Sequence, residues 1–189
     1  MLPILLLNAA NALIVTGCVI RGWMISDPKY NVFRYFTTLS NMLCAAASVV
    51  LVVFAAIGTI PEWAVLLKYV GTVAVTVTML TVFLLLGPVS HDWKMLLSGS
   101  ELFLHLICPV LALVSYIVFE KIDMTAWVIA LGVVPVLLYG ALYLQKVIYS
   151  PEEKRWSDFY GFNANGKWPL SYALMLLGTA TVSFLLWLV

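Results

Sequence analysis

Six stretches of predominantly apolar residues, each about the length of a bilayer crossing, leave this chain few ways to fold. A helix spanning the hydrocarbon core needs about 20 apolar residues. In hydrocarbon every backbone polar group must be satisfied within the protein, which restricts spanning segments to helices and closed barrels. The stretches cover residues 2–23, 33–58, 63–87, 99–119, 124–149 and 168–189. The breaks between them are Ser26-Asp27-Pro28, Gly58-Thr59-Ile60-Pro61, Gly87-Pro88, Glu120-Lys121-Ile122-Asp123 and the long loop Ser150–Lys167, all ordinary punctuation. Composition agrees. Of 189 residues, 63% are apolar and 10% charged, against roughly 45–50% and 25% in soluble domains. The expected fold is all-α: a polytopic membrane helical bundle of six transmembrane helices, forming a single integral-membrane domain over 1–189. No positive region precedes the first apolar run, so it reads as a retained span and not as a cleaved signal peptide.

Charge placement orients the bundle. The loops after spans one, three and five lie on one face, called side A. Arg21, Lys29, Arg34, Lys94, Lys146, Lys154, Arg155 and Lys167 belong to it, leaving Lys68 and Lys121 for the other face. Positive residues favour the cytoplasm, so side A is expected to be cytoplasmic and both termini outside. Trp23, Trp63, Trp93, Trp127, Trp156 and Trp168 stand near span ends, where interfacial anchors belong. No basic patch interleaved with aromatics marks a nucleic-acid partner. Cys18, Cys44 and Cys108 are scattered within apolar stretches. They read as small buried hydrophobes, with neither a metal-ligand spacing nor a disulfide framework.

The second stretch opens with Arg34-Tyr35-Phe36-Thr37-Thr38-Leu39-Ser40-Asn41. Polar groups are costly in hydrocarbon and face a bundle interior when they occur there. At about 100° per residue, Thr37, Ser40, Asn41, Cys44 and Ser48 share one narrow helix face. Thr38 lies about a quarter-turn away, with Arg34 and Met42. The fourth stretch carries Glu101, His105, Cys108, Ala112 and Ser115 in a similar stripe. Both stretches start on side A, which puts Thr37 and His105 roughly 6 and 9 Å deep at ~1.5 Å per residue. Pro109 removes the N–H that would satisfy the carbonyl of His105 in an α-helix, so a kink and a free acceptor are expected beside the imidazole.

A threonine hydroxyl beside an imidazole is a nucleophile–base pair, and histidine is the side chain that changes charge near neutral pH. Asn41, one turn on, is placed to donate to a developing oxyanion. Glu101 and Asp158 are the carboxylates available to orient the histidine. The plainer alternative is packing, because Thr and Ser commonly tie membrane helices together. Glu101 would then snorkel at the interface, and Asn8 and Asn11 would either line the cavity or bond a neighbouring helix. The stripe Tyr69, Thr72, Thr76 reads as packing, and His91-Asp92 as loop residues without a metal.

Three short motifs, in order, point to a family. Residues 34–41 resemble the aromatic-Phe-Thr-x-x-Ser-Asn motif of bacterial integral-membrane relatives of the androgen-induced proteins. His105-Leu106-Ile107-Cys108-Pro109 is similar to that family's membrane histidine followed by proline. Asp158-Phe159-Tyr160-Gly161-Phe162 with Gly166 is similar to its Tyr-Pro-x-Phe loop before the last span. In animals the family comprises membrane threonine hydrolases that cleave fatty-acid esters of hydroxy fatty acids. The resemblance implies a Thr37 nucleophile, a His105 base, a membrane lipid-ester substrate, no cofactor and a bacterial inner-membrane setting. Two positions depart from the pattern: Glu101 stands where the animal proteins have Asn, and Gly161 where the family has Pro. The expected function is hydrolysis of a lipid ester by Thr37 and His105, with Ser40, Asn41, Thr38, Asn11, Glu101 and Asp158 supporting or lining the pocket. The alternative is a non-catalytic lipid or small-molecule binder, or a small transporter, using the same cavity.

Overall fold

In the computed structural model, which describes residues 1–25 and 31–189, six long helices form one bundle. They are α1 (Leu2–Ile25), α2 (Phe36–Ile57), α3 (Glu62–Ser90), α4 (Ser100–Glu120), α5 (Val128–Tyr149) and α6 (Trp168–Leu188). No strand occurs among the described residues. All six helices are long and apolar enough to cross a membrane, and the chain is an integral membrane protein. The expected break at Ser26-Asp27-Pro28, and Lys29, lie outside the described residues.

The spans fall where apolar length put them, with two informative shifts. α3 does not stop at Gly87. A π-turn over Val82–Leu86, closed by the Gly87 N–H on the Val82 carbonyl, widens the helix just ahead of Pro88. The helix then runs to Ser90 and ends where His91 takes a left-handed φ of 54°. α5 starts four residues later than expected, because the chain from Lys121 is extended before turning at Ala126-Trp127.

α3 is the central helix, packing against α2, α4, α5 and α6, while α1 rests on α2 and α4. Its Tyr69, Val73 and Val77 form the main core with Tyr116, Val128, Val136 and Leu186. The outward faces carry Leu6, Leu13, Leu84, Leu138, Leu174 and Leu177, all exposed. Lipid tails are as apolar as leucine, so close packing and polar contacts hold such helices together, and small residues gather at crossings. At Gly71 an added Cβ would come within 2.8 Å of the Cys44 Cα, so glycine sets the α2–α3 approach. The Tyr69 hydroxyl bonds Ser183, and the Thr76 hydroxyl donates to the Thr72 carbonyl. The Tyr69 stripe is therefore packing.

Candidate functional site

The site is built around the first turn of α2. A short 3-10 turn over Val32–Arg34 is capped by the Asn31 side chain, which accepts from the Phe33 N–H at 2.9 Å. Tyr35 is extended, and α2 begins at Phe36. The first N–H groups of a helix have no partner within it. Here the Phe36 N–H donates to the Tyr160 hydroxyl at 2.9 Å, so a side chain of the α5–α6 loop caps α2. An aromatic cluster that includes Tyr139, Tyr143, Phe159, Tyr160 and Phe162 packs this loop against Phe36. Tyr139 also donates to the Arg34 carbonyl at 2.6 Å.

Thr37 Oγ1 lies 3.4 Å from His105 Nε2, so the structure brings the two residues together. The other ring nitrogen, Nδ1, lies 2.7 Å from the Leu96 carbonyl. A carbonyl only accepts, so Nδ1 carries the proton and Nε2 of the neutral ring is an acceptor facing the hydroxyl. The Leu96 carbonyl is aimed by the α3–α4 loop. There a one-turn helix, Trp93–Leu96, is capped by Asp92, which accepts from the Met95 N–H at 2.9 Å. Gly99, at a φ of 55°, then turns the chain into α4.

Several supporting roles change. Glu101, one of the two carboxylates available to orient the histidine, has its Oε2 3.3 Å from Nε2, the nitrogen that faces Thr37. It cannot fix the tautomer, because Leu96 holds the opposite nitrogen. With 48% of its side chain exposed, it is half in the interface, and its charge faces the imidazole across that gap. Asp158 does not reach the histidine either. Its carboxylate accepts from the Tyr143 hydroxyl and from the Phe162 and Asn163 N–H groups at 2.8 to 3.0 Å. It pins the loop that carries Tyr160. The turn there passes through Gly161 at a φ of 67°, which proline, locked near −65°, cannot adopt.

Asn41 is not an oxyanion donor. Both of its amide hydrogens are engaged, on the Thr37 carbonyl at 2.8 Å and the Leu104 carbonyl at 3.0 Å. The reason lies in α4. A π-turn over Phe103–Ile107, closed by the Cys108 N–H on the Phe103 carbonyl, shifts the hydrogen-bond ladder by one residue. The next donor would be Pro109, which has none. The free acceptor expected at His105 is therefore found at Leu104, and Asn41 fills it. Asn11 similarly donates to the Cys108 carbonyl at 3.0 Å and ties α1 to α4. Ser40 bonds Thr78 at 2.8 Å. Thr38 is buried, and the hydroxyl that meets His105 is that of Thr37.

Thr37 opens onto a narrow apolar cavity whose wall includes Phe36, Thr78, Tyr139, Tyr160 and Met175. His105, 5% exposed, stands behind Thr37 and outside that wall. Burial pushes the Tyr160 phenol up to about 12, while the Phe36 N–H donated to its oxygen pulls it the other way. The phenol thus stays protonated and able to donate. No group of three His, Cys, Asp or Glu side chains gathers as a metal site among the described residues.

A second polar cluster, which the sequence reading missed, lies toward the opposite face. Lys68 is fully buried and Glu120 is 4% exposed. Lys68 Nζ donates to Asn8 Oδ1 at 2.8 Å and Ser48 Oγ at 2.9 Å. The Asn8 amide donates to Glu120 Oε1, and so does the Ser115 hydroxyl. Asn8 thus bridges an ammonium and a carboxylate, its oxygen toward one and its nitrogen toward the other. A π-turn over Tyr116–Glu120 brings Ser115 and Glu120, five residues apart, onto one side of α4. The matched depth of Asn8 and Lys68, each six residues into its helix from the same face, was the available signal. Comparison with known proteins finds no family model, no curated protein and no solved structure that matches this chain.

Proposed function

We propose that the protein is an intramembrane hydrolase of lipid esters, with Thr37 as nucleophile and His105 as base. The observation that carries this reading is the Thr37 Oγ1–His105 Nε2 approach of 3.4 Å, with Nδ1 held on the Leu96 carbonyl. The separation is close to the hydrogen-bond reach of a general base, and such contacts are often long in the absence of substrate. In this reading Thr37 Oγ attacks the ester carbonyl as its proton passes to Nε2. The tetrahedral intermediate collapses, the C–O bond to the alcohol breaks, and Nε2–H returns the proton to the leaving oxygen. Water, deprotonated by Nε2, then attacks the acyl-threonine, releasing the acid and restoring Thr37. Glu101, 3.3 Å from Nε2, stabilises the imidazolium that forms between these steps. The resemblance of residues 34–41, 105–109 and 158–162 to the threonine hydrolases of the androgen-induced protein family supports the same pair.

The oxyanion partner in this mechanism is Tyr160, in place of Asn41. Its oxygen accepts from Phe36 and it lines the cavity at the positive end of α2, and in this reading its O–H turns to the oxyanion. Tyr160→Phe is expected to lower kcat about 10²-fold or more, the usual cost of losing one oxyanion donor, with KM little changed. An equal rise in KM with kcat unchanged would assign the phenol to substrate binding. The test of the reaction itself is turnover of lipid esters by purified protein, with mass spectrometry of fluorophosphonate-treated samples. The Thr37-containing peptide should carry the phosphonyl group. An unmodified Thr37 together with no ester turnover would end this reading. We further propose that side A, with its excess of Lys and Arg, faces the cytoplasm, in a bacterial inner membrane. A Glu153→Cys thiol in intact cells should then label only after permeabilisation.

The Glu101–His105 contact favours a second reading, a small proton-coupled transporter or binder in which these two groups pass a proton. Glu101→Gln abolishing uptake, with Thr37→Ala harmless, would select it.

A further inference from the structure

We infer that the groove between α3 and α6 seats the acyl chain of the lipid ester and makes the site selective for long chains. This rests on the hydrolase reading for the position of the ester. The groove is lined by Leu80, Leu84, Leu174, Met175, Gly178 and Val182, among others, and encloses about 1330 Å³ of empty space, its open side included. It shares Val77, Thr81, Tyr160, Phe162 and Met175 with the cavity at Thr37, so the two adjoin across a common wall of side chains. Tyr160 stands where the groove meets the cavity at Thr37, and the rest of its lining is mostly apolar, on the exposed outer side of the bundle.

Dimensions decide the occupant. Along α6 the lining runs from Ser171 to Val182, a rise of about 16 Å at ~1.5 Å per residue. That is about half of a ~30 Å hydrocarbon core, the depth of one leaflet. A single acyl chain of the side-A leaflet, lying beside its neighbours, spans it with its carbonyl at Thr37. The groove is open beside Gly178, where an added Cβ meets no atom within 4 Å, so a large side chain placed there would enter it.

The experiment uses the full chain in lipid nanodiscs, with p-nitrophenyl butyrate and p-nitrophenyl palmitate as substrates. Gly178→Phe, and Leu174→Trp as a second variant, should lower the palmitate-to-butyrate ratio of kcat/KM. Displacing even two methylenes costs about tenfold. Gly17→Phe on α1, where an added Cβ also meets nothing within 4 Å, is the control and keeps the wild-type ratio. In parallel, a diazirine-bearing fatty acid should photolabel α3 and α6 peptides in the wild type and lose that labelling in Gly178→Phe. An unchanged ratio, or labelling confined to α2 and α5, overturns the groove assignment. Wild-type protein that hydrolyses neither ester overturns the hydrolase reading instead, and the photolabelling then decides the groove by itself.

Discussion

Thr37→Ala protein, purified beside the wild type, is expected to lose lipid-ester hydrolysis by on the order of 10⁴-fold and to lose fluorophosphonate labelling altogether. A loss of that size follows removal of one member of a nucleophile–base unit, where the residual rate comes from binding and oxyanion contacts. His105→Ala should fall by a similar factor, and the double variant should fall no further, because residues acting as a unit are not additive. Thr37→Ser, which keeps the hydroxyl, should retain measurable turnover. Stability separates chemistry from folding. Thr37 is only half-buried, so its alanine variant should melt close to the wild type. His105→Ala leaves the Leu96 carbonyl without its donor, a cost of about 1–3 kcal/mol. Full turnover in both alanine variants would exclude this mechanism.

The largest stability effect is expected at Lys68. Lys68→Met removes the ammonium and leaves the Glu120 carboxylate in the bundle interior without the charge it was paired against through Asn8. Breaking one side of a buried charge pair costs about 3–5 kcal/mol. The reverse change, Glu120→Gln, leaves the lysine charge and should cost a similar amount. Lys68→Met combined with Glu120→Gln should recover much of the loss, because the double change removes both desolvated charges together. The measurement is the unfolding midpoint in detergent for the four proteins of that cycle. Single variants with wild-type midpoints, or a strictly additive double variant, would show that Lys68 and Glu120 do not depend on one another. Asn8→Ala, which deletes the bridge and keeps both charges, should lower the midpoint as well.

The spans were legible because apolar length is a one-dimensional property, and hydrocarbon leaves no other way to satisfy twenty consecutive peptide groups. Helix phase separated Thr37 from Thr38, and depth from a common face aligned Thr37 with His105. What stayed hidden was backbone and ladder geometry. The group that fixes the histidine tautomer is the Leu96 carbonyl, and no side-chain pattern announces a carbonyl. Asn41 had the right phase for an oxyanion donor, but the α4 π-turn placed an unfilled acceptor within its reach. Asp158 has the charge to orient a histidine, and the fold spends it on the Tyr160 loop. Lys68 was counted with the loop charges because it lies six residues inside α3, within reach of the interface for a long side chain. Glu120 was read as a break residue, and it does end α4, but pointing inward.

Asn41 joins the carbonyl of the nucleophile's own residue to the carbonyl next to the base, so one asparagine side chain acts as a spacer between α2 and α4. The gap across which a proton would move is thereby braced inside the bundle, by three bonded groups, in addition to the hold that the Leu96 carbonyl has on the ring. A glutamine at position 41 would keep every donor and acceptor and still widen the gap by a methylene, which makes position 41 less tolerant of variation than its purely structural role suggests.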